Sequence, residues 1–226
     1  MDGRRVKQLI VFDFDGVIAD SEILANTVLA EFVTELGVSM TVEDALRTFM
    51  GKRLADVLAS IGTTIGRPLG AEAIEEFQRR TLARFRTHLR EVSGVRGYLQ
   101  SVAHVDCCIA SASSPDRLAV CLDVLGLAAR FGTHVYSASM VPRGKPHPDL
   151  FLHAAAQFGV TPETAIVIED SPHGVRAGVA AGMTTIGFLG ASHIRSGHDA
   201  RLVDAGAHHI ARTYDDVAEI TARLMR

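Results

Sequence analysis

The sequence predicts an α/β protein whose core is a doubly wound, Rossmann-like parallel sheet with an α-helical cap inserted after the first strand. Two observations support this fold class. Short apolar runs alternate with helical patterns along most of the chain, which is typical of a parallel sheet covered by helices. The segment 20–90 interrupts the alternation with helical periodicity alone. With 226 residues, the chain can form one domain with an insertion or two domains.

The first predicted strand is Leu9–Phe12, a wholly apolar run that ends at acidic residues. Such a run is expected of a strand buried on both faces. Further strands are predicted at 105–110, 134–137, 165–168 and Thr184–Phe188. Helical patterns separate them at 115–125, Asp149–Phe158 and 173–181, each closed by a glycine typical of helix C-termini.

Three helices are predicted in the inserted segment, at 24–36, Leu54–Ile65 and 73–88. A glycine- and proline-containing turn at 66–70 separates the second from the third. The resulting division is an α/β core of residues 1–18 and 92–226 and a helical cap of residues 19–91.

Charge and apolar content exclude several classes of protein. The net charge is −3, and the basic residues are scattered, so we expect no nucleic-acid partner. The first apolar run is too short for a membrane span or a leader, so we expect a cytoplasmic protein without a membrane partner. Cys107 and Cys108 are neighbours on a predicted strand and are expected to be small core residues on opposite faces.

Two carboxylates, Asp13 and Asp15, follow the first strand at alternate positions. Because ligands bind at the carboxyl edge of a parallel sheet, both are candidates for catalysis. An aspartate at this place can attack phosphorus, and a second carboxyl group two residues later can protonate the leaving alcohol and then deprotonate water. A loop that merely turns the chain at Gly16 is the alternative interpretation.

A second acidic pair, Glu169 and Asp170, follows another buried strand and is therefore expected at the same edge. Two facing acidic clusters require a cation, and carboxylate oxygens are ligands that suit Mg²⁺. Each pair alone could be a solvated helix start, but two pairs after two buried strands favour a metal site.

Ser111 ends a third buried run and precedes a predicted helix start at Pro115. Its hydroxyl and nearby backbone N–H groups, including that of Ala112, are candidates for binding phosphate oxygens. Ser113 and Ser114 are more simply explained as helix N-caps. Lys145 lies between Gly144 and Pro146 in a stiff loop and is a candidate for neutralising phosphate and carboxylate charge.

These four blocks, in this order along the chain, resemble the motifs of the haloacid dehalogenase superfamily, and of its branch near β-phosphoglucomutase and the sugar-phosphate phosphatases. The resemblance implies a magnesium-dependent phosphatase acting on a small phosphorylated metabolite, such as a sugar phosphate or phosphogluconate. It implies Asp13 as the nucleophile, Asp15 as the acid and base, and Ser111 and Lys145 on the phosphate. Asp170, Glu169, Asp13 and the backbone carbonyl of Asp15 would then hold Mg²⁺.

The resemblance also implies that the cap closes over the site, with hinges near 18–20 and 91–94. Gly51, Lys52 and Arg53 match the substrate loop of the family, and the two cations suit a second anionic group on the substrate. Glu22 is a further candidate for substrate contact, although it also suits an ordinary helix start. We expect a monomer or a weak homodimer.

Departures from the family pattern bear on the reaction. β-Phosphoglucomutase has a histidine shortly after the first motif, and the matching segment 22–25 has none, which favours hydrolysis over the mutase reaction. Asp15 argues against a dehalogenase of the founding type and against phosphonate cleavage. A receiver-like phosphoacceptor and a catalytically inactive binding module remain the alternatives from other classes.

Overall fold

The computed structural model describes residues 7–49 and 54–225. Within these ranges the chain forms six strands and eleven α-helices. The strands are β1 (Leu9–Phe12), β2 (Asp106–Ser111), β3 (Val135–Ser137), β4 (Ala165–Glu169), β5 (Thr184–Phe188) and β6 (His209–Ala211). The helices are α1 (Glu22–Glu35), α2 (Val42–Phe49), α3 (Leu54–Ile65), α4 (Ala71–His88), α5 (Val95–Ser101), α6 (Pro115–Val124), α7 (Ala128–Phe131), α8 (Asp149–Phe158), α9 (Pro172–Ala180), α10 (His198–Asp204) and α11 (Tyr214–Leu224).

All six strands form one parallel sheet in the order β3-β2-β1-β4-β5-β6. Strand β1 lies in the middle, and its last residue, Phe12, is in register with Ile109 of β2 and Ile168 of β4. The chain order reverses direction at β1, as it does in doubly wound sheets. The predicted fold class is confirmed.

Helices cover both faces of the sheet, and alternate residues of each strand pack into separate clusters. Ile10 and Phe12 pack with residues of α5, α6 and α11 on one face, whereas Val11 packs with residues of α8 and α9 on the other. Cys107 belongs to the first cluster and Cys108 to the second. The prediction that these neighbours are core residues on opposite faces is confirmed.

The five predicted strands and the three predicted core helices are present, with ends shifted by one residue at most. Strand β6 and helices α2, α5, α7, α10 and α11 are additional to the prediction. Most of these elements are short, and a strand of three residues gives no readable alternation. Across residues 7–49 and 54–225, we find no helix with the length and apolar content needed to span a bilayer.

Helices α1–α4 surround an apolar cluster of their own, whose buried members include Phe32 of α1 and Phe77 of α4. The end of α4 differs, because Phe85 is fully buried in the cluster of the sheet. The inserted helices thus have a separate core, and one of them also packs against the α/β part.

The two segments that join these helices to the sheet lie side by side. The N–H of Asp20 donates to the carbonyl of Arg90 at 3.0 Å, and the N–H of Val92 donates to the carbonyl of Ile18 at 2.8 Å. These paired residues coincide with the predicted hinges. Residues 19–91 as a mobile cap remain a prediction.

Candidate active site

Three central strands bring the predicted residues to one edge of the sheet. Asp13 directly follows β1, Ser111 ends β2, and Glu169 and Asp170 end and follow β4. Because β2, β1 and β4 are adjacent, their carboxyl ends meet. The N–H of Asp13 continues the ladder by donating to the carbonyl of Ile168 at 2.9 Å, so the backbone of the site is an extension of the sheet.

Asp13, Glu169 and Asp170 form a buried acidic group. One carboxylate oxygen from each lies within 4.8 Å of the others, which is the spacing of groups that can hold a metal ion. All three residues are buried, and Glu169 is completely so. Three carboxylates at such separations repel each other strongly in a poorly solvated site, so their chemistry fits a hard divalent cation.

Lys145 supplies one positive charge to this group. Its Nζ atom lies 2.7 Å from Oδ1 of Asp13 and 2.7 Å from Oε1 of Glu169. Only 6% of the side chain is exposed, and the ammonium lies 5.0 Å from the centre of the Phe151 ring. One ammonium among three carboxylates leaves a net negative charge, which is consistent with a cation site.

The pKa values at this edge reflect burial and charge together. Burial raises the pKa of Asp13 well above its usual value, and the charges of Glu169 and Asp170 add to the rise, against the opposing effect of Lys145. Burial alone would lower the pKa of Lys145, but the charge of Asp13, followed by that of Glu169, raises it. Lys145 is therefore a permanent ammonium, and further positive charge would favour the ionised form of Asp13.

Two glycines allow the acidic side chains to pack this closely. Gly16 has φ +76°, and a Cβ atom there would lie 1.9 Å from Oδ2 of Asp170. At Gly174, in the first turn of α9, a Cβ atom would lie 1.6 Å from Oε1 of Glu169. Any larger residue at either position would displace a carboxylate of the site.

Asp15 lies outside the acidic group and is held by three donors. Its Oδ1 atom accepts from the Arg117 guanidinium at 2.6 Å and from the Ser21 hydroxyl, and its Oδ2 accepts from the Ser113 hydroxyl at 2.6 Å. Burial alone would raise the pKa of Asp15, but Arg117, Ser113 and Ser21 lower it. In this arrangement Asp15 is a carboxylate and has no proton to donate.

Arg117 is a site residue that the sequence prediction did not identify. It lies in the first turn of α6, where a cation is unfavourable for the helix dipole, and this placement is the signal that could have indicated a specific partner. Its guanidinium also stacks 4.9 Å above the ring of Phe85, which links it to α4. Its Nε atom is buried without a hydrogen-bond partner among the described residues.

The serines after β2 separate into different roles. Ser111 is buried, and its hydroxyl accepts from the N–H of Ser113 at 3.1 Å, while Ala112 is exposed. Ser114 is the N-cap of α6 and accepts from the N–H of Arg117, as predicted. Ser113, by contrast, is not a cap, because its hydroxyl binds Asp15.

Glu22, the first residue of α1, is partly buried. Burial raises the pKa of its carboxyl group, and the nearby charge of Asp15 raises it further. Its Oε2 atom accepts from the side chain of Asn26 at 3.3 Å. The structure thus brings Glu22 near Asp15. The other predicted substrate contacts, Gly51, Lys52 and Arg53, lie outside the described residues.

Two histidines also contact the acidic group and were absent from the sequence prediction. His193 follows β5, and His198 begins α10, and both are buried. Each is within hydrogen-bonding distance of Asp170. The signal was their position after a strand whose carboxyl end lies at the same edge of the sheet.

Proteins of known activity are similar to this chain. The 6-phosphogluconate phosphatase of Escherichia coli (strain K12) is 27% identical over 187 residues, a match that covers 82% of this chain and 84% of the relative. The hexitol phosphatase B of the same strain is 30% identical over 182 residues, covering 78% of this chain and 81% of the relative. Both matches extend over most of each protein.

Solved structures have the same fold. A conserved haloacid dehalogenase-like protein of Agrobacterium tumefaciens superposes with a TM-score of 0.86 at 38% identity, covering 97% of this chain and 100% of that protein. A haloacid dehalogenase family hydrolase of Deinococcus radiodurans, solved with bound phosphate and sodium, gives a TM-score of 0.80 at 32% identity, with 97% of each chain covered.

The family model of the haloacid dehalogenase-like hydrolases matches residues 10–188. This range includes β2 to β5 and all of β1 except Leu9, and therefore the strands that contribute to the acidic group. The resemblance inferred from the four sequence motifs is confirmed. The chain belongs to the haloacid dehalogenase-like hydrolases and is an enzyme of the phosphatase kind.

Proposed function

We propose that this enzyme is a Mg²⁺-dependent phosphatase that hydrolyses a small phosphorylated sugar or sugar acid through a phosphorylated Asp13. The observation that carries the proposal is the environment of Asp13. Asp13 directly follows the central strand, and its carboxylate contacts the fixed ammonium of Lys145 and lies among carboxylates suited to a cation. Phosphoryl transfer requires cations that balance the charges of the nucleophile and the phosphate, and Lys145 together with a metal held by these carboxylates would supply them.

Asp13, Glu169 and Asp170 would hold the cation, together with the backbone carbonyl of Asp15. Their oxygen-only donor set suits Mg²⁺, which also accepts substrate phosphate oxygens and water. A bound Mg²⁺ would supply positive charge that neutralises the phosphate and lowers the pKa of Asp13. The ammonium of Lys145, which contacts Oδ1 of Asp13, would also neutralise phosphate charge and lower the pKa of Asp13.

In the proposed first step, a carboxylate oxygen of Asp13 forms a bond to phosphorus while the ester oxygen leaves. The leaving oxygen takes a proton from Asp15. In the second step, water attacks the phosphorus, its proton passes to Asp15, and the bond between Asp13 and phosphorus breaks. Phosphate is released, and both side chains return to their starting state.

Phosphate oxygens would be bound by Lys145, the Ser111 hydroxyl and the backbone N–H of Ala112. Ser111 ends β2, Ala112 follows it, and the ammonium of Lys145 is held by Asp13 and Glu169, so little reorganisation is needed during the reaction. Asp15, however, must lose its contacts with Arg117 and Ser113 before it can carry a proton. Movement of the cap, residues 19–91, could release it, since Phe85 stacks on Arg117.

Substrate choice would depend on the cap. The proposed contacts are Glu22, which lies near Asp15, and Gly51, Lys52 and Arg53. The relatives support a sugar phosphate or a sugar-acid phosphate, since one is named for 6-phosphogluconate and the other for hexitol phosphates. We further propose that the enzyme is cytoplasmic and acts as a monomer or weak homodimer.

The test is phosphate release from a panel of sugar phosphates and sugar-acid phosphates, with Mg²⁺ or with EDTA. We expect release only with Mg²⁺, and a loss of at least about 1,000-fold in kcat for Asp13→Asn, because an amide is a poor nucleophile. The matched control is Asp123→Asn, on the exposed side of α6, which should not change kcat.

Three outcomes would contradict the proposal. Isomerisation of glucose 1-phosphate without phosphate release would indicate a mutase. Stable phosphorylation of the protein without turnover would indicate a phosphoacceptor. Full activity of Asp13→Asn would mean that the nucleophile is another residue.

A further inference from the structure

The loop 189–197, between β5 and α10, carries His193 and leads directly into His198. We infer that these two histidines are positioning residues that fix Asp170 from two directions and so set the affinity of the site for a divalent cation. The inference depends on one part of the proposed function, which is that Asp170 is a metal ligand. It assigns a role to two residues that the motifs of the family do not include.

His193 holds the side chain of Asp170. Its Nε2 atom lies 3.1 Å from Oδ2 of Asp170, and only 3% of the imidazole side chain is exposed. Among the described residues, its Nδ1 atom is buried without a hydrogen-bond partner. The contact with Asp170 is therefore the hydrogen bond that explains a histidine, instead of an apolar residue, at this buried position.

His198 holds the backbone of the same residue. Its Nε2 atom lies 2.6 Å from the carbonyl oxygen of Asp170, and the residue is 5% exposed. This contact requires the proton on Nε2, because a carbonyl oxygen only accepts. One histidine thus fixes the carboxylate and the other fixes the peptide group, which leaves Asp170 little freedom to rotate.

Gly16 packs against Asp170 from a third side. A Cβ atom at this position would lie 1.9 Å from Oδ2 of Asp170 and 2.8 Å from the ring carbon Cε1 of His193. The turn after β1 therefore packs directly on the hydrogen bond between these two side chains. An alternative orientation of Asp170 would have to displace this backbone, so packing and hydrogen bonding select the same position.

The loop 189–197 is itself anchored at its middle. Asp20 accepts from the N–H of Ser192 at 3.1 Å and from its hydroxyl at 2.8 Å. Arg195 donates to the carbonyl of Ser192 at 2.9 Å. Since Ser192 adjoins His193, these contacts fix the backbone that presents the imidazole.

The consequence for cation binding follows from preorganisation. A carboxylate that is already oriented loses less freedom when it binds a metal, and hydrogen-bonded partners of ligands typically affect affinity about 10- to 100-fold. We expect His193→Ala to weaken Mn²⁺ binding by about that factor. His193→Gln can place a side-chain N–H near the position of Nε2 and should restore most of the loss.

The measurement is isothermal titration of the full-length protein with Mn²⁺ in the absence of substrate, with unfolding curves to verify each fold. His198→Ala is an independent variant, and we expect it to weaken binding too. The losses for His193→Ala and His198→Ala should not add in the double variant, since both act through Asp170. The matched control is His104→Ala, at the exposed turn before β2, which should bind as the unchanged protein does.

If His193→Ala does not fold, His193→Phe takes its place, because it keeps a ring but has no donor. Unchanged Mn²⁺ affinity in a folded His193 variant and in His198→Ala would overturn the inference, even if the protein is an active phosphatase. Absence of Mn²⁺ binding by the unchanged protein would overturn it as well. Weaker binding in a protein that hydrolyses no phosphate ester would support the inference and contradict the proposed function.

Discussion

At the scale of single residues, the pair formed by Asp15 and Arg117 has a consequence for stability. Both side chains are largely buried, with 15% and 25% exposed, so each depends on the other for its charge. Breaking a buried pair by removing one partner is usually destabilising, because the remaining charge has lost its counterion. The lowered pKa of Asp15 in the folded protein indicates that the pair stabilises the fold.

We predict that Arg117→Met lowers the free energy of unfolding by about 1–3 kcal/mol at pH 7 without metal. Because the pKa of Asp15 is lower in the folded than in the unfolded state, the pair stabilises the fold above about pH 4. This stabilisation is lost as the pH falls through the pKa of the folded state. Urea unfolding of both proteins should therefore give a difference that shrinks below about pH 4.

The control for this prediction is Arg47→Met. Arg47 pairs with Asp44 at 2.7 Å on the surface of α2, with 74% and 43% of the two side chains exposed. An exposed ion pair contributes little to the free energy of unfolding, so Arg47→Met should lower it by less than about 0.5 kcal/mol. If the loss for Arg117→Met stays the same as the pH falls through the pKa of Asp15 in the folded protein, lost packing on Phe85, not charge, is responsible.

Residue-scale prediction from the sequence succeeded where a residue's place follows from the strand before it. Asp13, Ser111 and Asp170 reach one edge because each ends or directly follows a buried strand. The contact between Arg117 and Asp15 joins residues 102 positions apart, and nothing local in the sequence links them. The same holds for His193, whose partner is set by the length and path of loop 189–197.

At the scale of elements, the first turn of α9 is fitted to the buried Glu169. Glu169 accepts from the N–H of Ser171 at 2.7 Å and from the Ser171 hydroxyl at 3.0 Å. The Ser171 hydroxyl in turn accepts from the N–H of Gly174 as the N-cap of α9. The start of the helix and the end of β4 therefore share one hydrogen-bond network.

We predict that Gly174→Ala destabilises the protein by about 1–3 kcal/mol and reduces kcat at least tenfold, as overpacking does. The added Cβ would lie 1.6 Å from Oε1 of Glu169, which contacts Lys145, so α9 or Glu169 must move. Urea unfolding and phosphate release measure the two effects. If Gly174→Ala keeps the stability and the activity of the unchanged protein, α9 shifts to accommodate the methyl group without a loss in the free energy of unfolding.

Gly97 is the matched control for this helix glycine. It lies in α5, and a Cβ atom there would meet no heavy atom within 4 Å. Alanine reduces the freedom of the unfolded chain and favours the helix, so Gly97→Ala should stabilise the protein by about 0.5 kcal/mol.

Most of the elements missing from the sequence prediction are short. Helix α2 has eight residues and β6 has three, and tertiary contacts, not local pattern, determine such short elements. The wholly apolar strands and most of the longer helices were identified from the spacing of their apolar residues, but α11, an amphipathic helix of 11 residues, was missed. The division of roles among Ser111, Ser113 and Ser114 was only partly predicted, since three neighbouring serines satisfy the same capping pattern.

At the scale of the whole molecule, helices α1–α4 contact the α/β part through both polar and apolar side chains. The polar contacts include Arg195 with Glu43 at 3.2 Å and the Ser21 hydroxyl on Asp15. Polar contacts of this kind permit relative movement of two parts of a chain. The apolar contacts include Phe85, which is buried in the cluster of the sheet and stacks on Arg117, so a movement of the cap must shift this stacking.

Site-specific spin labelling can test this movement without removing the native cysteines. All three are buried. Burial raises the pKa of Cys107 to about 11 and that of Cys121 to about 12, and it raises the pKa of Cys108 as well. Because the thiolate is the reactive form, labels should attach only to introduced cysteines on the surface.

We predict that Mg²⁺ together with orthovanadate, a phosphate analogue, changes the distance between labels at Arg67→Cys and Gln157→Cys. Arg67 is exposed in the turn between α3 and α4, and Gln157 is exposed on α8 of the α/β part. Labels at Gln157→Cys and Asp215→Cys, both in the α/β part, form the control pair and should keep their distance. A shift in the first pair alone would mean that the inserted helices move as a cap when the site is occupied. If neither pair shifts, the helices are fixed on the sheet, and the release of Asp15 from Arg117 must come from side-chain motion within the site.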